Sequence, residues 1–373
     1  MTSTHETPAR TGPAFGLWYD FRDPDPDPDP DPDPDPDPDP DPDPDPDPDP
    51  DPGRPFGAFY AEVLDQISWA EQRGLDSVWL TEHHFCDDGY SPSPFVLGSA
   101  IAQRTSRMRI GTNLIVSPLH DPVRLAEDAS TLSLLSGGRF DLGVGQGYWA
   151  REFDAFGRTL THRPSLLEEG VELIRHAWSG SAEGYRGRRY TLPPLPVTPV
   201  PETPPQLLVG AMADVAIERA ARIADGFLST QNAHHRSYLD AVQRLGRPVD
   251  DAAIYAGQWA IVADDPERVW SRIGEHALYQ LNEYISWGAF GPPESTPRFT
   301  DPAQIIEAGA YQLMDAEAAT THFTELLRGT PQIRDVHFWA MLPGEPVESG
   351  SERIAYLADK VVPAVRERLR AWP

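Results

Sequence analysis

Val78-Trp79-Leu80-Thr81-Glu82-His83-His84-Phe85 is a β-branched and aromatic run that breaks into three consecutive ionisable side chains, the pattern of a buried strand whose end reaches a site. If the backbone stays extended through this end, Glu82 and His84 share one face and His83 takes the other. Adjacent histidines then cannot both enter one pocket without a bend. That argues against a two-histidine metal site, so no metal is expected, and favours one imidazole as a proton carrier or hydrogen-bond donor. The bland alternative is that both histidines cap the strand or satisfy backbone groups.

Working outward, Tyr60, Val63, Leu64 and Ile67 recur at helical spacing and Gly74 is placed to stop that helix, so a helix leads into the strand. Further units repeat the pattern: 94–105 helical, 109–116 extended, 122–135 helical, and 140–143 extended. A helix over 164–178, a strand at 206–209, a helix over 214–224 and a strand at 226–229 follow. Then come a helix at 238–245, a strand at 254–262, a long helix over 266–287, a helix at 316–327, the strand 336–340, and a last helix over 351–369 that Pro363 is placed to kink. With Phe15–Phe21 as the opening strand, eight strands each precede a helix, which predicts an α/β fold closed as a (β/α)8 TIM barrel. The proline-rich stretch 179–205 and the segment 288–300 fall outside the repeat and read as insertions.

Between the opening strand and its helix lies Asp23–Pro52, fifteen copies of Asp-Pro. Proline withholds every second amide, disfavours helical backbone at each preceding aspartate, and like charges repel, so a disordered, extended tract is expected in the first βα loop of one domain spanning 1–373. The formal charge of −27 falls to −12 once these fifteen aspartates are set aside. An acidic surface disfavours nucleic acid and anionic membranes as partners. The single cysteine, Cys86, excludes an intrachain disulfide and reads as a packing residue. Without an apolar leader at 1–13 or a run of eighteen apolar residues, a cytoplasmic protein is expected.

A second informative stretch is Gly137-Gly138-Arg139-Phe140-Asp141-Leu142-Gly143-Val144-Gly145-Gln146-Gly147-Tyr148-Trp149. Glycines at a strand's end let backbone amides approach a phosphate or a ring closely. Read alone, the stretch resembles the Asp-x-Gly-x-Gly-x-Gly loop of S-adenosylmethionine-dependent methyltransferases. Such a loop, however, should open the first strand-helix unit and run directly into a helix, and here three units precede it.

Taken together, Leu-Thr-Glu-His-His-Phe at 80–85, Arg-Ile-Gly-Thr at 109–112, His-Asp-Pro-Val-Arg-Leu-Ala-Glu-Asp at 120–128 and Leu-Leu-Ser-Gly-Gly-Arg-Phe-Asp-Leu-Gly-Val-Gly at 134–145 resemble the bacterial luciferase-like family of flavin-dependent monooxygenases, in that family's order and spacing. The resemblance implies reduced FMN, or a deazaflavin in its place, at the C-terminal face of the barrel. O2, a small-molecule substrate and a separate flavin reductase are implied as partners, and a homodimer is compatible with it. His83 matches the histidine beside the flavin ring, with the suggested role of hydrogen-bond donor and general acid or base. Asn113 and Leu114 match a non-proline cis peptide against the flavin. Gly145, Gln146 and Gly147, with Gly210 and Ala211, match the cofactor-binding loops, and Arg163 matches an arginine on the flavin phosphate.

Two positions depart from the family's pattern. Gln146 stands where an arginine is common, and the loop Gly210-Ala211-Met212-Ala213 lacks the usual serine or threonine, with Asp214 read as the N-cap of the next helix. A flavin-binding barrel without chemistry is therefore a third alternative. Trp18, Tyr148, Trp149, Trp287, Phe290 and Trp339 are the candidates for an apolar substrate wall.

Overall fold

The computed structural model describes residues 12–24 and 54–371. Its elements, in chain order, are β1 (Ala14–Tyr19), α1 (Phe56–Gln72), β2 (Ser77–Leu80), α2 (Pro94–Arg104), β3 (Arg109–Thr112), α3 (Pro122–Leu135), β4 (Phe140–Gly145), α4 (Ala150–Ala155) and α5 (Arg163–Trp178). They continue with β5 (Leu207–Gly210), α6 (Asp214–Ile223), β6 (Gly226–Ser229), α7 (His234–Arg244), β7 (Ile254–Gln258), α8 (Pro266–Trp287), α9 (Pro302–Glu307), α10 (Ala316–Gly329), β8 (Ile333–Trp339), α11 (Val347–Tyr356) and α12 (Val362–Arg370). The eight β strands pair in parallel around a ring, β1 against both β2 and β8, with β3 closing on β4. The (β/α)8 barrel expected from the alternation is the fold. An S-adenosylmethionine loop has no place in it, because the glycine stretch ends the fourth strand of a closed ring rather than the first strand of an open sheet.

Alternation along each strand divides the core in two. On β1, Phe15, Leu17 and Tyr19 join the large apolar cluster that also holds Val63 and Ile67 of α1, while Trp18 joins a second cluster with Trp79, Tyr90, Tyr284 and Trp339. The barrel interior is crowded. A Cβ on Gly111 would lie 2.3 Å from the Trp79 ring, so only glycine leaves room there. The inner Trp79 Nε1–H and a His337 ring nitrogen both reach Asp335 Oδ1, at 3.0 and 2.9 Å, which satisfies polar groups that the interior would otherwise strand.

Helix starts follow their capping chemistry. Asp121 accepts the amides of Val123 and Arg124 before α3, and Asp265 accepts that of Arg268 before α8, each with proline at the first helical position. α8 stops at Gly288, which takes the left-handed conformation (φ 87°).

The structure differs from expectation where backbone pairing depends on distant chain. The strand expected over 109–116 breaks after Thr112 and resumes as Ile115–Val116, with a cis peptide at Asn113–Leu114. The strand expected over 254–262 also splits: Ala260–Val262 leaves the barrel and pairs with Gln312–Met314 in a separate small sheet. α7 begins at His234, four residues before the expected Tyr238. The last helix is interrupted by a π-type turn over Leu357–Val361, just ahead of Pro363. The insertion 179–205 carries a short antiparallel pair, Tyr185–Arg186 with Thr191–Leu192.

The expected disorder of the Asp-Pro tract lies outside the described residues for 25–53. Its expected start at Asp23 is too early. Asp23 is held by a two-pronged pair from Arg54, Nε and Nη2 each 2.9 Å from a carboxylate oxygen, so the two ends of the excursion meet. Among the described residues no helix is long and apolar enough to cross a membrane.

Candidate active site

The C-terminal ends of the strands open into one cavity of about 570 Å3, a size suited to a cofactor-sized ligand. It is lined by His83, Asn113, Leu114, Gly145, Gln146, Gly147, Arg163, Gly210 and Ala211, so all nine residues singled out from the sequence come together. β2 delivers the first of them. Beyond Leu80, Glu82 and His84 meet each other, Oε1 3.4 Å from Nε2, while His83 makes its contacts with other groups. Phe85 then reverses the chain at φ 60°.

His83 is 4% exposed and held at both nitrogens: Nδ1 lies 2.9 Å from Glu152 Oε1, and Nε2 lies 2.8 Å from the Tyr148 hydroxyl. A carboxylate accepts only, so Nδ1 carries a proton toward Glu152, and Nε2 is left to exchange one with Tyr148. Glu152 Oε1 also accepts the His84 amide at 2.8 Å, while its Oε2 is buried without a partner. Burial drives the Tyr148 hydroxyl pKa well above its ordinary value, so the phenol stays protonated. Around the imidazole stand Tyr90 and Trp287, each with ring centroid 4.9 Å away.

Glu152 was invisible in the sequence. It sits on α4, six residues long, too short to show a helical period. The usable signal was Phe153, the one apolar anchor of that turn, buried in a small cluster with Val116 and Leu119.

On the opposite side, Glu82 Oε2 accepts the Val116 amide at 2.5 Å and Oε1 lies 2.8 Å from His120 Nε2 and 3.4 Å from His84 Nε2. His120, which arrives from the segment after β3, brings ligand-type atoms of Glu82, His84 and His120 within 4.8 Å of one another, a two-histidine grouping that the reading of one strand does not consider. With both its oxygens engaged, Glu82 ties the end of β2 to the chain that follows the cis peptide. Burial alone would raise the Glu82 pKa; the charge and hydrogen bonds of His120 and His84 overcome it and bring it down to about 2. Burial alone would lower that of His120, and Glu82 overcomes this and raises it.

A depressed acid contributes stability above its unfolded pKa, 4.5, and loses it as pH falls toward 2; a raised histidine contributes below 6.5 and loses it as pH rises through its folded value. The tether should therefore be worth most between about pH 4.5 and 6.5. His120→Gln should lower the melting temperature most within that window, with the difference narrowing above it; a pH-independent difference across melting curves would reject this account.

The cavity wall at the ends of β4 and β5 is shaped by small residues. A Cβ on Gly210 would come within 2.4 Å of the Leu114 side chain and one on Gly145 within 2.6 Å, so these glycines seat Leu114. Asn113 is fixed at both ends, its carbonyl accepting the Trp18 indole N–H at 3.2 Å and its Nδ2 lying 3.0 Å from His337 Nε2. Arg163 opens α5 and faces the cavity; burial alone lowers its pKa, with no carboxylate acting on it. Gln146 Oε1 is buried and unpartnered. Asp214 is not the N-cap: Ala213 occupies that position, without a side-chain bond, and Asp214 is the exposed first residue of α6. An uncapped helix start and an unpaired guanidinium in one cavity suit the phosphate of a flavin nucleotide.

Of the aromatic residues expected to line the substrate side, Trp18, Tyr148, Phe290 and Trp339 do; Trp149 and Trp287 do not. Those two stack on each other, centroids 4.9 Å apart, behind His83. Tyr90, Trp259 and Tyr284 join the wall instead. Cys86 is half-buried beside this wall, its thiol pKa pushed up by burial, in keeping with a packing role.

The chain is similar to relatives of known name. The F420-dependent glucose-6-phosphate dehydrogenase of Amycolatopsis mediterranei is 33% identical over 191 residues, which are 49% of this chain and 57% of that one. The chain thus matches under two thirds of that relative's length. The crystal structure of the monooxygenase RslO1 from Streptomyces bottropensis superposes with a TM-score of 0.74 at 19% identity, covering 94% of this chain and 99% of that one. The oxygenating constituent of 3,6-diketocamphane monooxygenase from Pseudomonas putida, solved with FMN, gives 0.67 at 16% identity, over 84% of this chain and 95% of that one. These two share the fold. The model of the luciferase-like monooxygenase family matches residues 43–332, and with more than half its length so matched, this chain belongs to that family of oxidoreductases.

Proposed function

We propose that the protein is a flavin-dependent monooxygenase that uses reduced FMN and O2 to oxygenate a small organic substrate, with the reduced flavin delivered by a separate reductase. The observation that carries this reading is the pairing, in one cavity, of a proton-exchanging His83 beyond the end of β2 with an unpaired Arg163 at the start of α5. Reduced flavin, when bound, would supply the electrons that activate O2. The protein's part is to hold ring and phosphate, to keep water out, and to move a proton. Glu152 orients the imidazole, the Tyr148 hydroxyl meets its free nitrogen, and Trp18, Tyr90, Trp259, Tyr284 and Trp339 form an apolar wall suited to an uncharged substrate.

A single unpaired arginine suits a cofactor ending in one phosphate better than a deazaflavin bearing an acidic tail. The second reading, an F420-dependent oxidoreductase, is favoured by the 33% identity to the glucose-6-phosphate dehydrogenase. Titrating the protein with each reduced cofactor under nitrogen, with tryptophan fluorescence as the readout, separates the two. Oxygen uptake that depends on bound reduced FMN and on an organic acceptor supports the monooxygenase; saturable binding of the deazaflavin alone supports the other. A flavin bound without oxygen uptake would make the barrel a silent binder. Arg163→Ala should weaken the bound cofactor by about 1–3 kcal/mol, the scale of a charge-assisted hydrogen bond; unchanged affinity would remove Arg163 from the site.

A further inference from the structure

We propose that His234 is the second phosphate-holding residue of this cavity, taking over from the arginine that the chain lacks at position 146; this rests on the flavin reading above. His234 lies on the cavity wall with Arg163, Gln146 and the loop from Gly210 to Ala213. It begins α7, five residues past the end of β6, and lies near enough to the start of α6 for Asp214 to act on its charge. Its Nδ1 is buried without a hydrogen-bond partner, the condition of a group that a ligand completes.

The groups around it leave that role open. Burial, the larger influence, lowers the His234 pKa, and Asp214 at the start of α6 opposes it. His235, next along the helix, is buried with both ring nitrogens unpartnered; its pKa is pushed down to about 4, by burial first and by His234 second, so it adds no competing charge. A phosphate monoester placed between His234 and Arg163 would accept from both and from the uncapped amides at the start of α6, and its own charge would favour the imidazolium. The exposed Asp214 would oppose this only weakly, because water screens it.

The test compares cofactors with and without their phosphate. Full-length protein, wild type and His234→Ala, His234→Gln and Arg163→Ala, is titrated with FMN and with riboflavin, following tryptophan quenching. The wild type should bind FMN more tightly than riboflavin. His234→Ala should reduce that preference about tenfold while leaving riboflavin affinity in place, and Arg163→Ala should do the same. His234→Gln, which keeps a donor, should retain part of it, and unchanged melting temperatures establish that each variant is folded. If FMN is not bound but F420 is, the same comparison is made between F420 and its phosphate-free deazaflavin core. The proposal is overturned if His234→Ala weakens both members of a pair equally, since the ring then only packs, or if it weakens neither. Binding of no flavin or deazaflavin at all overturns the cofactor reading and this proposal with it.

Discussion

Replacing His83 by alanine should lower turnover by about 10²- to 10⁴-fold, the range for losing a general acid or base. The structure gives the reason and the controls. His83 bridges Glu152 and the Tyr148 hydroxyl, at 2.9 and 2.8 Å. Its removal leaves Glu152 buried with one donor, the His84 amide, so stability should fall by about 1–3 kcal/mol as well. Glu152→Gln should separate the two effects. The amide can still bond the imidazole, but it cannot hold the Nδ1 proton by charge, so turnover should fall while cofactor affinity stays within about twofold. His84→Ala should cost far less in turnover, because His84 faces Glu82 at 3.4 Å rather than the Tyr148 hydroxyl. The measurement is single-turnover kinetics with reduced cofactor, beside a melting curve for each variant. Should His84→Ala abolish turnover and His83→Ala spare it, the assignment of faces along 82–84 is wrong.

Arg22→Leu should destabilise the fold by about 3–5 kcal/mol, the usual cost of removing one partner of a buried ion pair. Its guanidinium is fully buried, with Nε 2.6 Å from Asp88 Oδ2, and it sits 5.0–5.3 Å from the centroids of Tyr90, Tyr279 and Trp287. Two of those rings, Tyr90 and Trp287, also touch His83, so the cation braces the wall behind the imidazole. Without it, two carboxylates, Asp20 and Asp88, would be left buried together. Burial already pushes the Asp20 pKa up to about 6, with Arg22 opposing and Asp88 adding to the rise. An acid raised in the folded state costs stability above that pKa, and the cost disappears as pH falls toward 3.8. The loss caused by Arg22→Leu should therefore be larger at pH 7.5 than at pH 5, since protonation relieves the stranded acids. Denaturant midpoints at the two pH values measure this, and a loss that grows toward acid pH would show that the pair is not what holds this corner.

The barrel was legible because its cause is local. Alternation of apolar period along the chain marks each strand and helix, and eight repeats of one unit admit few closed arrangements, so β6 and helices α3 and α8 fall where the sequence puts them. The faces of Glu82, His83 and His84 were equally readable, since a strand's side-chain period is fixed by its backbone. Arg163 and Gln146 were singled out by resemblance to known sequences, whereas the glycines at the end of β4 also stood out by their own spacing.

What the sequence determined by itself is thus the sequence of elements, the closed ring they form, and the side of β2 on which the imidazole lies. What only the tertiary structure decided is which groups meet that imidazole and its neighbour Glu82. Tyr148 and Glu152 come from the segment after β4, 65 and 69 residues from His83, and His120 from the segment after β3, and their meeting with the end of β2 depends on how the strand ends crowd together once the ring closes. The same holds for Asp214, displaced from the cap by one residue, and for Trp149 and Trp287, turned from the cavity to stack on each other. Local propensity sets each element's start and face, whereas the site is made where loops from non-adjacent strands are forced into one volume, and that volume exists only in the folded chain.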